Sequence, residues 1–355
     1  MKEKTAKRLR VTAIVLLSIL VSYIIIATLP RFDSYKGDNV LLKHEYSLPR
    51  LIAHRGGAGE FPGNTLEAFY NAYSVDENAI METDVSITKD GVLILCHNVL
   101  LDKTTNVTGP ISEWSYADLC HNPDDNGNPV NFGYYNETED GILIEGTPLK
   151  LYTDYNGKRV KPSDVPDYPN GLPNRDKEVY LVTTFEELLL AFPNNIINVE
   201  FKQDGELGVK AFKEMVKIVE RHDAFDRVVF TSFHNDLFKE FQKSISKGEV
   251  PANFMCSPGV LSVATFYVLQ LLNIDLFYSS KIAVLQIPME KFGFDLSTLK
   301  LVKSAHKHNI AVQYWTIDKE DDMRELIKIG ADGIMTDRPH KLMEVYSSYY
   351  RPYPI

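Results

Sequence analysis

Cysteine is scarce in this sequence: its 355 residues include only Cys96, Cys120 and Cys256. An odd number of cysteines at wide, irregular spacing excludes a disulfide framework and a zinc site built on paired cysteines. The chain also lacks an excess of positive charge, since its formal net charge is -10, and this argues against a nucleic-acid partner. With no tandem repeat or long low-complexity tract, the fold depends on an ordinary apolar core.

The N-terminal segment has a net positive charge, in contrast to the acidic remainder of the chain. Residues 1–30 carry five cations against one anion, and the uncharged run 11–29 follows the cations. At about 1.5 Å per residue this run nearly crosses a hydrocarbon core of about 30 Å. The cations before it predict a cytoplasmic N-terminus and an extracytoplasmic remainder. We therefore expect a single-pass membrane anchor in residues 1–30. A cleaved signal peptide is the alternative, although no clear small-residue cleavage site follows.

Residues 31–49 are polar and mixed, and we interpret them as a short tether. From residue 50 to about 345, short apolar runs alternate with segments of helical spacing, loosely counted as eight strand–helix units. This alternation is typical of an α/β TIM (β/α)8 barrel, although a doubly wound sheet would produce it too. Asn64 is placed to cap the first helix of the barrel, over residues 65–74.

Two further segments stand apart from the barrel pattern. Residues 122–177 are rich in Asn, Asp, Gly and Pro, which predicts a loop-rich insertion. Residues 260–272 are predicted as a helix, and no charge occurs from 260 through 274. Such a helix is unusual on the outside of a barrel, so it either lies buried under other segments or contacts a membrane, which it is too short to span. The last ten residues, 346–355, are interpreted as a C-terminal tail.

Polar side chains lie at or just after the predicted strand ends, where barrel enzymes have their active sites. They are His54, Arg55, Glu82, Asp84, His97, Glu200, Lys202 and Trp315. Because side chains at i and i+2 on a strand share a face, Glu82 and Asp84 point the same way.

Three convergent carboxylates would suit one hard divalent cation, Mg²⁺ or Ca²⁺. Two nearby histidines could move protons near neutral pH, and an arginine and a lysine could hold phosphate oxygens. The combination predicts phosphodiester cleavage. Lys202 could equally neutralise Glu200, and Trp315 could either pack the barrel or form a substrate wall.

The motifs that contain these residues resemble those of glycerophosphodiester phosphodiesterases. The matching stretches, in order, are AHRGGAGE at 53–60, PGNTLEAF at 62–69, ETDV at 82–85, TKDG at 88–91, CHN at 96–98, NVEFK at 198–202 and GADGIMTD at 330–337. The resemblance implies a TIM barrel over residues 50–345 that hydrolyses a phospholipid-derived substrate with one divalent cation, Mg²⁺ or Ca²⁺. It also implies that a glycerol hydroxyl attacks the phosphate and forms a cyclic phosphate.

The resemblance assigns roles residue by residue. It implies that Glu82, Asp84 and Glu200 bind the metal and that His54 and His97 are the acid/base pair. Arg55 and Lys202 would bind the substrate phosphate.

A finer likeness, carried by TFEEL at 184–188, QIPM at 286–289 and MTDRP at 335–339, is to the membrane-anchored branch that acts on lysophospholipids as lysophospholipase D. Two positions depart from the family pattern, because Gly63 replaces a glutamate and Asn98 an aspartate. A phospholipase C- or D-type barrel for another head group and a catalytically weak lipid-binding barrel remain open. Nothing in the sequence predicts an oligomeric state.

Overall fold

A computed structural model describes residues 2–43, 47–135, 150–151, 158–166 and 175–350. Their strands fall into one large sheet and two separate two-stranded sheets. In chain order they are β1 Arg50–Ala53, β2 Ile80–Ile87, β3 Leu93–Leu95, β4 Tyr134–Tyr135, β5 Lys150–Leu151, β6 Ile197–Phe201, β7 Val228–Thr231, β8 Met255–Cys256, β9 Val284–Ile287, β10 Glu290–Lys291, β11 Phe294–Asp295, β12 Ala311–Tyr314 and β13 Gly333–Thr336.

Helices separate most of these strands. They are α1 Lys2–Thr28, α2 Leu66–Val75, α3 Tyr116–Cys120, α4 Phe185–Ala191, α5 Gly205–Arg221, α6 Asn235–Lys247, α7 Val260–Leu271, α8 Leu299–His306, α9 Glu320–Ile329 and α10 Pro339–Tyr350. Thr65, rather than Asn64, caps α2, since its hydroxyl accepts a hydrogen bond from the Ala68 N–H (3.3 Å). The expected Asn64 cap is wrong because Asn64 takes a left-handed conformation (φ 63°) and points elsewhere.

Eight strands are hydrogen-bonded in parallel, in the order β8-β7-β6-β2-β1-β13-β12-β9. The two outer strands approach each other, because the Ala283 N–H donates to the Cys256 carbonyl (3.1 Å). This nearly closed barrel confirms the predicted TIM fold. Strand β3 pairs antiparallel with β2 and lies outside the eight. As in other barrels of this kind, the carboxyl ends of the strands share one rim.

The segment after α1, interpreted from the sequence as a short tether, folds against the opposite rim of the barrel over residues 31–43. The Ser34 N–H donates to the His308 carbonyl (2.8 Å), and Asn39 Nδ2 donates to the Ala283 carbonyl (2.7 Å). Leu41 is fully buried in an apolar cluster with residues from several strands, including Ile52 and Val284. The segment therefore closes the amino-terminal end of the barrel, and the polar side chain of Asn39 binds backbone carbonyls there.

A buried ion pair fixes the point where α1 meets the barrel. Arg31 Nη2 lies 2.7 Å from Asp275 Oδ1, and both side chains are less than 5% exposed. The other oxygen of Asp275 accepts a hydrogen bond from Ser304 Oγ (2.6 Å). By length and composition, α1 is the one helix of the described residues that could cross a membrane, and none of its apolar window is buried.

We predict that Asp275→Asn lowers the free energy of unfolding by about 3–5 kcal/mol, because it leaves the Arg31 guanidinium buried without a countercharge. Thermal and denaturant unfolding of the full chain in detergent would measure this. Asp226→Asn is the matched control, since Asp226 is exposed and should change stability by about 0.5 kcal/mol or less. Equal stability of the two variants would contradict the prediction.

The predicted insertion is only partly within the described residues: 136–149, 152–157 and 167–174 lie outside them. Its described part includes the short β4–β5 pairing. Arg175 binds the fully buried Glu67 of α2 (Nε to Oε1, 3.0 Å) and so ties the end of the insertion to the barrel. The final helix α10 reaches Tyr350, five residues into the expected tail, and residues 351–355 lie outside the described part.

Candidate active site

The carboxyl-terminal rim of the barrel holds the eight residues singled out in the sequence. Seven of them line one pocket: His54, Arg55, Glu82, His97, Glu200, Lys202 and Trp315. Asp84, the eighth, is buried directly beside them and contacts Arg55 and Lys202. The structure therefore brings all eight together, as expected for residues that follow parallel strands.

Strand register places the three carboxylates side by side. In the β2–β6 pairing, Glu82 is opposite Asn198 and Asp84 is opposite Glu200. One oxygen from each of Glu82, Asp84 and Glu200 lies within 4.8 Å of the others. Hard oxygen donors at this separation match what Mg²⁺ and Ca²⁺ bind in proteins, so the donor set fits the implied metal.

Two cationic side chains adjoin these carboxylates. Lys202 Nζ lies 3.0 Å from Asp84 Oδ1 and 2.5 Å from Glu200 Oε1. Arg55 Nε lies 3.1 Å from Asp84 Oδ2, and the backbone N–H of Arg55 donates to Glu82 Oε2 (2.8 Å). Both cations also reach the pocket, so each can bind an anionic ligand while it stays next to the acidic cluster.

The pKa values of the three carboxylates are shifted in different directions. Burial raises the pKa of Glu82 and of Glu200, and the charge of Asp84 raises both further. Burial also acts to raise the pKa of Asp84, but Lys202 and Arg55 outweigh it and hold that pKa well below its usual range. Like charges held this close repel each other, so a bound cation would favour the ionised form of all three.

His54 is held by a carboxylate from the last strand. Its Nδ1 lies 2.7 Å from Oδ1 of Asp337, which directly follows β13. Burial alone would lower the pKa of His54, but the carboxylates of Asp337 and Glu82 raise it above its usual value. Asp337 thereby fixes the ring and stabilises the imidazolium form.

His97 has a neutral partner instead. Its Nδ1 lies 3.2 Å from the amide oxygen of Asn98, so the ring can donate from Nδ1 and keep Nε2 as an acceptor. Burial lowers the pKa of His97 to about 4, and the attraction of Asp84 does not compensate. Their surroundings therefore shift the pKa values of the two pocket histidines in opposite directions.

A layer of hydrogen-bonded polar side chains lies beneath the charged groups, inside the barrel. Gln286 Nε2 and Asn198 Nδ2 both donate to Gln313 Oε1 (3.0 and 3.1 Å), and Thr231 Oγ1 donates to Gln286 Oε1 (2.8 Å). These residues come from four different strands of the barrel. Three of them also line the pocket, so its floor is polar and held in place by hydrogen bonds.

The wall of the pocket is aromatic. Trp315 packs edge-on against Phe233, with ring centroids 5.7 Å apart, and both residues line the pocket. Trp315 also packs against the apolar cluster of strand residues that contains Ile52 and Met335. The two interpretations left open by the sequence, barrel packing and pocket wall, are thus compatible.

Residue-by-residue reasoning missed the roles of Asp337 and Asn64. Asn64 donates to Asp84 Oδ2 (2.9 Å) and accepts from Thr83 Oγ1 (2.8 Å), so it orients the carboxylate. Both residues stood inside the motifs quoted from the sequence, which was the signal available.

At Gly63, the position that departs from the family pattern, a Cβ would lie 3.0 Å from the Ala58 Cβ and 3.2 Å from the Arg55 Cβ. The missing side chain makes room for the turn at Arg55, whose φ is 53°.

Comparison with known proteins gives consistent results. Residues 54–341 match the model of the glycerophosphoryl diester phosphodiesterase family. The chain is 23% identical to a glycerophosphodiester phosphodiesterase of Caldanaerobacter subterraneus subsp. tengcongensis, over 83% of this chain and 96% of the relative. It is 25% identical to a human protein named as a lysophospholipase D, over 86% of this chain and 89% of the relative.

Solved structures show the same fold at low sequence identity. The glycerophosphoryl diester phosphodiesterase domain of a Mycobacterium tuberculosis protein superimposes with a TM-score of 0.59 at 16% identity, covering 85% of this chain and all of that one. A phosphodiesterase of Oleispira antarctica, solved with the product sn-glycerol-3-phosphate, gives 0.57 at 19% identity, covering 84% and 97%.

Proposed function

The chain belongs to the glycerophosphoryl diester phosphodiesterase family, and on that premise we propose that it hydrolyses glycerophosphodiesters to glycerol 3-phosphate and an alcohol. The observation that carries the proposal is the pocket in which His54 and His97 flank three carboxylates that lie within 4.8 Å of one another. Acidic, basic and proton-transferring groups converge there in the combination that phosphodiester cleavage requires.

Glu82, Asp84 and Glu200 would hold one divalent cation, Mg²⁺ or Ca²⁺, which when bound supplies Lewis-acid stabilisation of charge on the phosphate oxygens. Arg55 and Lys202 contribute positive charge from the chain itself, at the same edge of the pocket. Their role is to bind the non-bridging oxygens and to hold the diester in one orientation.

The two histidines divide the proton transfers. His97, neutral and with Nε2 as its acceptor, takes the proton of the glycerol hydroxyl that attacks phosphorus. A new P–O bond forms, the bond to the alcohol breaks, and His54 donates a proton from Nε2 to the departing oxygen. Water then opens the resulting cyclic phosphate, with the two histidines in reversed roles. Asp337 keeps the His54 ring in place through both steps.

The finer proposal concerns the substrate and its location. We propose lysophospholipids as substrates, giving lysophosphatidic acid, because the chain resembles a human protein named as a lysophospholipase D and carries the apolar helix α1. On this proposal α1 is an uncleaved single-pass anchor with its cationic start in the cytoplasm, and the barrel lies on the other side.

The full chain in detergent, given glycerophosphocholine or lysophosphatidylcholine with Mg²⁺, with Ca²⁺ or with chelator, tests this proposal. We expect metal-dependent release of choline, and the preferred substrate identifies the branch. Release from lysophosphatidylcholine alone would restrict the activity to lysophospholipids. No release from either substrate in any metal would contradict the proposal and favour another head group or a lipid-binding barrel.

Asn98→Asp tests the assignment of His97 as the proton acceptor. A carboxylate at this position would favour the imidazolium and raise the pKa of His97 from about 4. We expect the acid limb of the pH profile of kcat/KM to move upward by about 1–2 pH units. Asn106→Asp, at a position that is not part of the pocket lining, should leave the limb in place. An acid limb that does not move in Asn98→Asp would contradict the assignment.

A further inference from the structure

One side of the barrel exposes large apolar side chains from its amino-terminal end to its carboxyl-terminal rim. We call this surface the apolar flank; it comprises Phe32, Val260, Leu261, Val268, Leu271, Leu272, Phe277, Phe292 and Phe294, each at least 47% exposed. Along α7, positions 261, 264, 265, 268, 271 and 272 follow helical spacing and form one outward face. An apolar surface of this extent on an enzyme marks an interaction site.

At the amino-terminal end of the barrel, the apolar flank meets the point where α1 joins. Arg31, three residues after α1, is ion-paired with Asp275 and lies within 3.5 Å of the Asn273 carbonyl. The side chain of Asn273 also lies 3.3 Å from the hydroxyl of Tyr23, in the last turns of α1. A membrane that contains α1 must therefore begin next to residues 271–277.

The other end of the apolar flank lies at the carboxyl-terminal rim, on which the pocket opens. The β10–β11 hairpin follows the carboxyl end of β9, the strand that supplies Gln286 to the pocket floor, so the hairpin lies on this rim. Phe292 at its tip is 83% exposed. Phe294 contacts the Tyr267 ring of α7 (5.8 Å between centroids), which joins the hairpin and the helix into one surface.

Cationic side chains accompany this apolar surface. Lys291 lies over the Phe292 ring, with 5.3 Å from Nζ to the centroid, and Lys300 Nζ donates to the Leu271 carbonyl at the end of α7 (2.9 Å). Apolar residues with lysines beside them suit a lipid surface, where acyl chains and phosphate groups are adjacent.

We propose that the barrel lies on the bilayer by its apolar flank, with α7 and the tip of the β10–β11 hairpin in the interface and the pocket mouth at the leaflet surface. A helix of twelve residues is about 18 Å long, so the contact reaches from the anchor joint to the rim. In this orientation a lipid head group enters the pocket while its acyl chain stays in the leaflet. The inference depends on the proposed membrane anchor and deepens the proposed action on lysophospholipids.

The direct test uses the full chain in phosphatidylcholine vesicles with a fluorescent label at Leu261→Cys or Phe292→Cys. Brominated acyl chains should quench both labels strongly. Leu190→Cys is the matched control, because Leu190 is 57% exposed on α4, on a different side of the barrel, and should not be quenched. The labelled unsubstituted chain corrects for the partly exposed Cys120. Absence of quenching at both flank positions would overturn the inference, as would shielding that depends on protein concentration and needs no lipid, which would indicate a second copy.

An activity measurement separates this inference from the proposed function. The double variant Leu261→Asp and Phe292→Asp should lower kcat/KM on vesicle-embedded lysophosphatidylcholine about tenfold, because charged side chains leave the interface. Turnover of soluble glycerophosphocholine should stay unchanged, and Leu190→Asp should affect neither. An equal loss on both substrates would overturn the inference. A chain inactive on both substrates before any substitution would contradict the proposed function, and the quenching result would still decide the inference.

Discussion

Replacing His54 by alanine is expected to lower kcat/KM on a glycerophosphodiester by about 10³-fold or more, within the range known for the loss of a general acid or base. The expectation follows from position: His54 lies in the pocket, with Nδ1 held by Asp337 (2.7 Å) and Nε2 within 4.0 Å of Glu82. Without the imidazole, the departing oxygen has to leave as an alkoxide. Choline release at substrate concentrations below KM measures the effect directly.

His222→Ala is the matched control for this prediction. Its imidazole also contacts a carboxylate (Nε2 to Glu186 Oε1, 2.6 Å), but it lies at the end of α5 on the outside of the barrel. We expect nearly unchanged kcat/KM there. A His54→Ala enzyme within tenfold of the unsubstituted chain would show that His54 does not transfer the proton, provided that its thermal unfolding is unaltered.

Most of the barrel could be predicted because its signals are local. The apolar runs and helical spacings that predicted strands and helices depend on neighbouring residues, and the parallel register follows once the fold is given. The eight site residues could be found for a related reason. They occur in short motifs at strand ends, and the barrel topology brings strand ends to one rim.

The features that were missed all depend on contacts between residues far apart in the chain. Asp337 reaches His54 across 283 positions, and Arg31 reaches Asp275 across 244. A polar segment such as 31–43 has no apolar period to reveal that its side chains bind backbone groups of the barrel end. Thr65 and Asn64 both suit a cap, but Asn64 takes a left-handed conformation and its side chain donates to Asp84 instead.

Removal of divalent metal is expected to abolish activity and to destabilise the protein. Glu82, Asp84 and Glu200 place three carboxylate oxygens within 4.8 Å of one another in a buried site. Burial and the charge of Asp84 raise the pKa of Glu82 and of Glu200, so the positive charge of the chain itself does not fully offset the cost of ionising these two carboxylates. A cation that binds the folded state alone adds about 2.7 kcal/mol at a hundredfold excess over its Kd.

The measurement is the Tm of the full chain in detergent, titrated with Mg²⁺ or Ca²⁺ after chelation, alongside choline release. We expect the Tm to rise with cation concentration by several degrees, and Glu82→Gln to remove most of this dependence together with the activity. Glu214→Gln, on the exposed side of α5 where Glu214 pairs with Lys217, should retain both.

The two measurements together decide between a metal site and a purely ionic one. If the cluster bound no metal ion and had only Lys202 and Arg55 as countercharges, Glu82→Gln would relieve the remaining repulsion and raise the Tm in chelator, with no response to cation in either protein. If the carboxylates hold a cation, Glu82→Gln should still gain stability in chelator, because one buried charge is gone, but lose the gain that cation confers on the unsubstituted chain. We expect the second result, in which the carboxylates hold a cation. A bound cation explains why three acidic side chains lie buried on adjacent strands beside the pocket, where apolar residues would cost less to bury.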